Sequence, residues 1–415
     1  MNPLRLFAAL TAVVALPASA QQWQNITLYE PPSENYEFWR TPSPEQAKDL
    51  TLLGYQGYDA LSQHWRRTKF QTNALSPALL DVGMWLFVLP EPMRWMQNEW
   101  QRDLMRQYDI DSASEAHYFW SDTPIRKAYV YDVSDADLAE LKAESPATMV
   151  RLSTARYEAT HVIGQQFAED SFFNHPQPRY RLAKAFPLLV DIFSFYNCRE
   201  GGSDNLPRNE AELAQDIVGY ECRSWAYDLH RPDADYTDRP NRYLRWNDLS
   251  EDEQNYINSA FWFSLLNLLD GHLLADRREM EQNRVSFQPT PFGRSFGWHH
   301  LRARRGLNLG WDIYMHQNAE RSMPGARVSL IDYPTLGGEL TSRASWWQQP
   351  EDQQFFTEER DDGWAVEFSY SLQVLSALRL QTDWHYKSAG WMPGNLSFEE
   401  GSGWRFGIDV LLFGG

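Results

Sequence analysis

The stretch Trp364-Ala365-Val366-Glu367-Phe368-Ser369-Tyr370-Ser371-Leu372-Gln373 alternates large apolar side chains with small or polar ones, residue by residue. Neighbours on one face of a helix lie three and four apart, so a helix would scatter these apolar groups around its circumference. A strand, with a period of two, gathers them on one side. Two later runs obey the same rule. Leu378, Leu380, Thr382, Trp384 and Tyr386 oppose Arg379, Gln381, Asp383 and His385; Trp404, Phe406, Ile408, Val410 and Leu412 oppose Arg405, Gly407 and Asp409. Three antiparallel strands with one apolar face are therefore predicted between Gly363 and Phe413, and that face must be shielded by lipid or by other protein.

Working back toward the amino terminus, the same alternation covers Leu307 to Gln317, Ala326 to Tyr333 and Glu339 to Trp347, with turns expected at Pro324-Gly325, Pro334, Pro350 and Pro393-Gly394. At least six hairpin-connected strands follow. The change from helical to alternating pattern near Asn283 makes residues 283–415 an antiparallel β-meander, a partial or complete β-barrel, and the whole chain an α+β protein. Such strands suit a membrane barrel, and equally a sheet whose greasy face is covered by helices. The last run resembles the aromatic-terminated final strand of outer-membrane barrel proteins in ending at Phe413, although Gly414-Gly415 follow and its register sets Phe413 on the polar side. That resemblance implies an outer-membrane seat. A closed single-chain barrel needs about eight strands, so two more must come from elsewhere.

Residues 1–20 read as a secretory signal peptide: Arg5, an apolar run from Leu6 to Leu16, a break at Pro17, and Ala18-Ser19-Ala20 before Gln21. Residues 21–282 are expected to be mainly helical. Ser76-Pro77 and Pro92 mark helix starts, and Ser134 with Asp137 forms a capping box. Ser145-Pro146 opens a helix to about Phe167 whose stripe is Leu152, Ala155, Ala159, Val162 and Ile163. Helices are also expected from Arg181 to Cys198, with Pro187 at its start or kink, and from about Asn209 to His230. Ser250 and Glu253 cap the most apolar helix, predicted from Glu251 to Arg278 and either surrounded by other elements or resting against a sheet. Its polar interruptions Asn267, Asp270 and His272 need hydrogen-bond partners. No stretch after residue 20 is long and apolar enough for a membrane-spanning helix.

The chain has two cysteines, Cys198 and Cys222. In an exported protein an even pair in one compact segment is a disulfide, worth about 3.5 kcal/mol on the chain-entropy model. The formal charge of −18 argues against nucleic acid as a partner, since phosphate binding needs a basic footprint, but leaves room for a local basic patch. The 18 Trp, 20 Tyr and 22 Phe suit cores, sugar-binding surfaces and membrane girdles alike.

Two groups of side chains carry chemistry. Glu158 and His161 form a Glu-x-x-His pair on one helix, at a spacing able to ligate a divalent metal; a bundle site of that kind wants a second such pair, which the chain lacks. The alternative for this pair is a polar helix face with a local hydrogen bond. Arg294, His299, His300, Arg302, Arg304 and Arg305 form a basic knot in an acidic chain, suited to an anionic lipid head group or phosphate, or to pairing with the many acids elsewhere. There is no nucleophile elbow, phosphate loop or dinucleotide fingerprint. Two functions are consistent with these features. One is an exported envelope protein, outer-membrane associated, that binds lipid, glycan or an envelope partner without catalysis. The other is a metal-dependent periplasmic or membrane-bound hydrolase using Glu158 and His161, with His230 or His272.

Overall fold

The computed structural model describes residues 22–29, 42–69, 90–116, 128–173, 180–201, 218, 221–269, 281–304, 306–335 and 337–413. Residues 1–20, on which a signal peptide is expected, the start at Ser76-Pro77, the stretch 209–217, Asp270, His272 and Arg305 lie outside them. Seven α-helices are described, all before the main run of strands: α1 (Pro44–Lys69), α2 (Pro90–Arg106), α3 (Asp135–Glu144), α4 (Pro146–Phe173), α5 (Tyr180–Cys198), α6 (Glu221–His230) and α7 (Glu251–Ser264). The sheet holds β1 (Gln22–Tyr29) together with β4 (Glu281–Thr290), β5 (Gly293–Arg304), β6 (Leu307–Gln317), β7 (Ser322–Thr335), β8 (Gly338–Pro350), β9 (Arg360–Leu375), β10 (Leu378–Lys387) and β11 (Gly401–Phe413). A small ribbon of β2 (Ala113–Ala116) and β3 (Ala128–Tyr131) lies apart.

The strands form one antiparallel meander of nine, ordered β1-β11-β10-β9-β8-β7-β6-β5-β4, which is not closed into a barrel. The predicted strands are present, and three more join them. β4 and β5 have little contrast between their faces, and β1 pairs with a strand far downstream, Ile26 lying opposite Ile408, 382 residues on. Pro324-Gly325 is no turn; it lies inside β7, opposite Met315 and Tyr314. Both free edges are capped by side chains. Asp49 of α1 accepts from Thr27 N–H and Oγ1 at 2.9 and 2.7 Å. At the other end Asn267, in a 3-10 turn (Leu265–Leu268) after α7, accepts from Phe287 N–H at 2.7 Å and donates to its carbonyl at 3.1 Å. An uncapped edge would offer unpaired amides to another chain.

α4 is the axis of the molecule. At 28 residues it is about 42 Å long, and it is buried on almost every side. Met149, Leu152, Ala155, Ala159, Ile163 and Phe167 pack on Met93, Met96, Trp100 and Leu104 of α2 and on Leu52 and Tyr55 of α1. A second core joins Tyr157, Phe195, Trp225, Tyr227, Ile257 and Phe287. Each fully buried Trp or Phe contributes about 2–3 kcal/mol. The capping boxes at Ser134 and Ser250 are both formed. The Cys198–Cys222 disulfide, with Cα atoms 6.2 Å apart, ties the end of α5 to the start of α6. α7 ends at Ser264 and continues as a 3-10 turn; it rests against the sheet, Phe263 packing on Phe287 and Phe296, while Trp262 is exposed.

The decisive arrangement concerns the two faces of the sheet. α1 and α4 cover its polar face, while α7 packs on the other face only at the Phe287 and Phe296 end. Glu158, His161, Gln165 and Glu169, spaced three and four apart on α4, turn toward the sheet and the loop before β11: Glu169 pairs with Arg343 at 3.0 Å, and Gln165 reaches Asp312 at 3.5 Å. The apolar face is the exposed one, with Ile313, Val328, Trp346, Trp364, Phe368, Leu372, Leu380, Trp404 and Phe406 all open. A sheet in water is expected to turn its oily face to the helices; here the order is reversed.

Candidate functional site

Glu158 and His161 are engaged with different partners. The Glu158 carboxylate accepts from Arg151 Nη2 at 2.8 Å and Nε at 3.3 Å, and from Trp391 Nε1 and the Gly394 amide, each at 3.1 Å. These four donors occupy the four acceptor positions of a carboxylate, so the group has none to offer a metal. Arg151 extends the network to the carbonyls of Asn395 and Leu396 at 2.7 and 2.9 Å, tying α4 to the loop before β11. The polar-face alternative also needs correcting, because both side chains are buried. His161 instead lies against His299, ring centroids 6.0 Å apart. Among the described residues no three His, Cys, Asp or Glu side chains are grouped to hold a metal ion.

The basic knot is divided by the alternation of its own strand. Arg294 lies over the Tyr256 ring at 4.4 Å and donates to Ser259 Oγ at 3.2 Å. His300 stacks on Trp311 at 4.2 Å and bonds Asn283 at 2.8 Å, while Arg302 pairs with Glu281 at 3.0 Å. Arg304 is exposed at the strand end. His299 points the opposite way, into the protein. His230 bonds the Ala226 carbonyl at 2.8 Å and packs among Tyr256, Phe355 and Phe356.

The inward side of β4, β5 and β6 holds what the sequence reading missed. Ser286 Oγ and His299 Nε2 are 2.7 Å apart, and His299 Nδ1 lies 2.8 Å from Asp312 Oδ1. Asp312 Oδ2 accepts from Tyr314 at 3.1 Å and lies 3.9 Å from Arg327 Nη1. An Nδ1–H donated to the carboxylate leaves Nε2 to accept the serine proton, the arrangement of nucleophile, base and orienting acid. The hairpin registers build it. His299 sits directly opposite Asp312, and Ser286 sits opposite Gly297, one inward position from His299. Gly297 is required there. A Cβ at that position would lie 2.6 Å from Ser286 Oγ and 2.7 Å from His299 Nε2.

Ser286, His299 and Asp312 are 5, 4 and 5 % exposed. Around them Arg284 Nε and Nη2 and His161 Nε2 have no hydrogen-bond partner among the described residues. Burial, then the charge of Arg284 and the neighbouring His299, hold His161 well below its ordinary range, so it is neutral at pH 7. Beside this group a polar cavity of about 600 Å³ opens between α1, α4 and the sheet. Gln165 and Arg327 belong to its wall and also contact Asp312. A signal was present in the sequence: Ser286, His299 and Asp312 recur at intervals of thirteen, which in these hairpins sets His299 opposite Asp312 and Ser286 one inward position away. Seeing it needed β4 and β5 to be recognised as strands.

Fold and site together define an α+β protein in which a helical bundle covers the polar face of an open antiparallel sheet around a buried serine–histidine–aspartate relay. No protein family, curated protein or solved structure matches the chain.

Proposed function

We propose that this protein is an acyl-ester hydrolase working at a membrane, with Ser286 as nucleophile, His299 as general base and then acid, and Asp312 holding the imidazole. The observation that carries this reading is the unbroken relay at 2.7 and 2.8 Å. In the first half-reaction Ser286 Oγ bonds to the ester carbonyl carbon while its proton passes to His299 Nε2 and the carbonyl π pair moves to oxygen. Collapse re-forms the carbonyl and expels the alcohol oxygen, which takes the proton from Nε2. Water then repeats the sequence on the acyl-serine, releasing the acid and returning a proton to Ser286. One water is consumed per ester.

The substrate class follows from the outward face. On β9 the outward positions from Trp364 to Val374 cover about 34 Å along the strand at about 3.4 Å per residue. At a tilt of about 40° that is about 26 Å, the height of a lipid-facing band. Near one end Trp346 is paired with Trp364, Trp384 with Trp404, and the rings of Trp364 and Tyr386 are 4.4 Å apart, as in an interfacial aromatic girdle. Lipid chains are the occupant this surface suits, and the envelope is the compartment in which such a sheet belongs. Arg304 at the end of β5 is the residue of the basic knot best placed for an anionic head group. Esters of fatty acids are the substrates such a protein meets.

The test uses full-length protein in detergent or vesicles, a fluorophosphonate probe and a medium-chain p-nitrophenyl ester. Wild type is expected to be labelled at Ser286 and to turn the ester over. Ser286→Ala is expected to lose labelling and at least about 10³-fold in kcat. Wild type that takes no label and matches Ser286→Ala removes the catalytic reading, and a non-catalytic binder of lipid, glycan or envelope protein is then what remains.

A further inference from the structure

The amides that usually stabilise an acyl-transfer oxyanion are occupied around Ser286. Such sites commonly use the main-chain N–H of the residue after the nucleophile. Here Phe287 N–H donates to Asn267 Oδ1 at 2.7 Å, and Val285 N–H donates to the Leu269 carbonyl at 3.3 Å. Both flanking amides are thus committed to closing the sheet edge. The negative charge must be met by a side chain.

Arg284 is the side chain available. It lies two residues from Ser286 on the same face of β4 and directly opposite His299. It is 3 % exposed, and its Nε and Nη2 make no hydrogen bond among the described residues. The other buried cation near the relay, Arg327, is already turned to Asp312 at 3.9 Å and to Ser345 Oγ at 3.2 Å. A buried guanidinium with bare donors is costly to keep, so a fold that keeps one beside a nucleophile gains from it at another moment. That moment is the tetrahedral intermediate, when negative charge appears one inward position away on the same strand. An interaction present only then lowers the barrier without tightening ground-state binding.

We infer that Arg284 is a catalytic residue whose guanidinium receives the oxyanion formed on addition of Ser286 to an ester, with the bare Nε2 of His161 beside it. This rests on the hydrolase reading above. His161, 8 % exposed and neutral, contributes an N–H dipole rather than a second charge.

The experiment compares wild type, Arg284→Met and Arg284→Lys by ester kinetics, fluorophosphonate labelling and thermal unfolding in the same detergent. The expected result is a kcat about 10²–10³-fold lower in Arg284→Met, KM within about threefold of wild type, and partial recovery in Arg284→Lys. The thermal midpoint of Arg284→Met is expected to be unchanged or higher, since removing an uncompensated buried charge relieves the resting fold. An arginine that merely supports the fold would lower the midpoint on removal, and one that anchors an anionic group of the substrate would raise KM alone; either outcome overturns the assignment. Active wild type with an equally active Arg284→Met overturns it while leaving the triad standing, whereas wild type that neither reacts with the probe nor hydrolyses the ester removes the hydrolase reading itself.

Discussion

Gly297 is the residue on which the closeness of Ser286 and His299 depends. A methyl group at that position would overlap both Ser286 Oγ and His299 Nε2. Gly297→Ala is therefore expected to keep the sheet but separate nucleophile from base. The predicted signature is a loss of about 10²–10⁴ in kcat with an unchanged circular dichroism spectrum; an active, folded Ala variant would show that the pair is not used. The residue scale is also where sequence reading reached least far. His299 was legible as chemically interesting, but its neighbours in sequence are not its neighbours in space: Arg294 and His300 face away, and the partners that matter lie thirteen residues before and after it. His161 gives a second prediction. Its folded-state pKa is depressed by burial and by Arg284, while the unfolded chain titrates near about 6.5. Below that pH the unfolded state binds a proton that the folded state refuses, so stability falls as pH drops, by up to about 1.4 kcal/mol per pH unit. His161→Gln is expected to flatten this slope between pH 6.5 and 5, read from denaturation midpoints.

Among the elements, α4 is the one whose loss would dissolve both halves of the molecule. Its apolar stripe was readable from spacing alone, as was the Ser145-Pro146 start. Its polar stripe was readable as residues but not as a surface, because single-sequence periodicity cannot tell water from a polar sheet face on the other side. Glu158 illustrates the difference: at 1 % exposure it is a structural acceptor for Arg151, Trp391 and Gly394. Removing one partner of a buried ion pair leaves the other charge uncompensated, at about 3–5 kcal/mol. Glu158→Ala is expected to lose that much in equilibrium unfolding, with added divalent metal making no difference to wild-type stability. A metal-dependent midpoint would restore the metal site that the four donors to Glu158 argue against. The strands β4 and β5 were missed for a related reason. Gln282, Arg284, Ser286 and Gln288 alternate with Asn283, Val285, Phe287 and Pro289, a polar face against a mixed one, so the hydrophobic contrast that reveals β9 to β11 is absent where the site lies.

At the scale of the whole molecule, the alternation in β9 to β11 showed that one face is oily but not which way it turns. Side-chain period is a property of the strand; orientation depends on what packs against it, and here the buried polar residues of α4 match the sheet's polar side. The consequence is testable without reference to catalysis. Val328 and Phe368 are open on the outward face, on β7 and β9, and neither adjoins the relay. Replacing both with Asp puts two charges where lipid chains are proposed to lie, at a cost of up to a few kcal/mol each near mid-membrane. Wild-type protein is expected to float with vesicles through a density gradient and to resist extraction by salt or alkaline carbonate. The double variant is expected to sink or aggregate when vesicles are offered. If lipid were not the occupant, the same substitutions on an exposed face would instead improve solubility, and wild type would sediment free of vesicles. These opposite signs let one flotation experiment decide whether the oily face of this sheet meets a membrane.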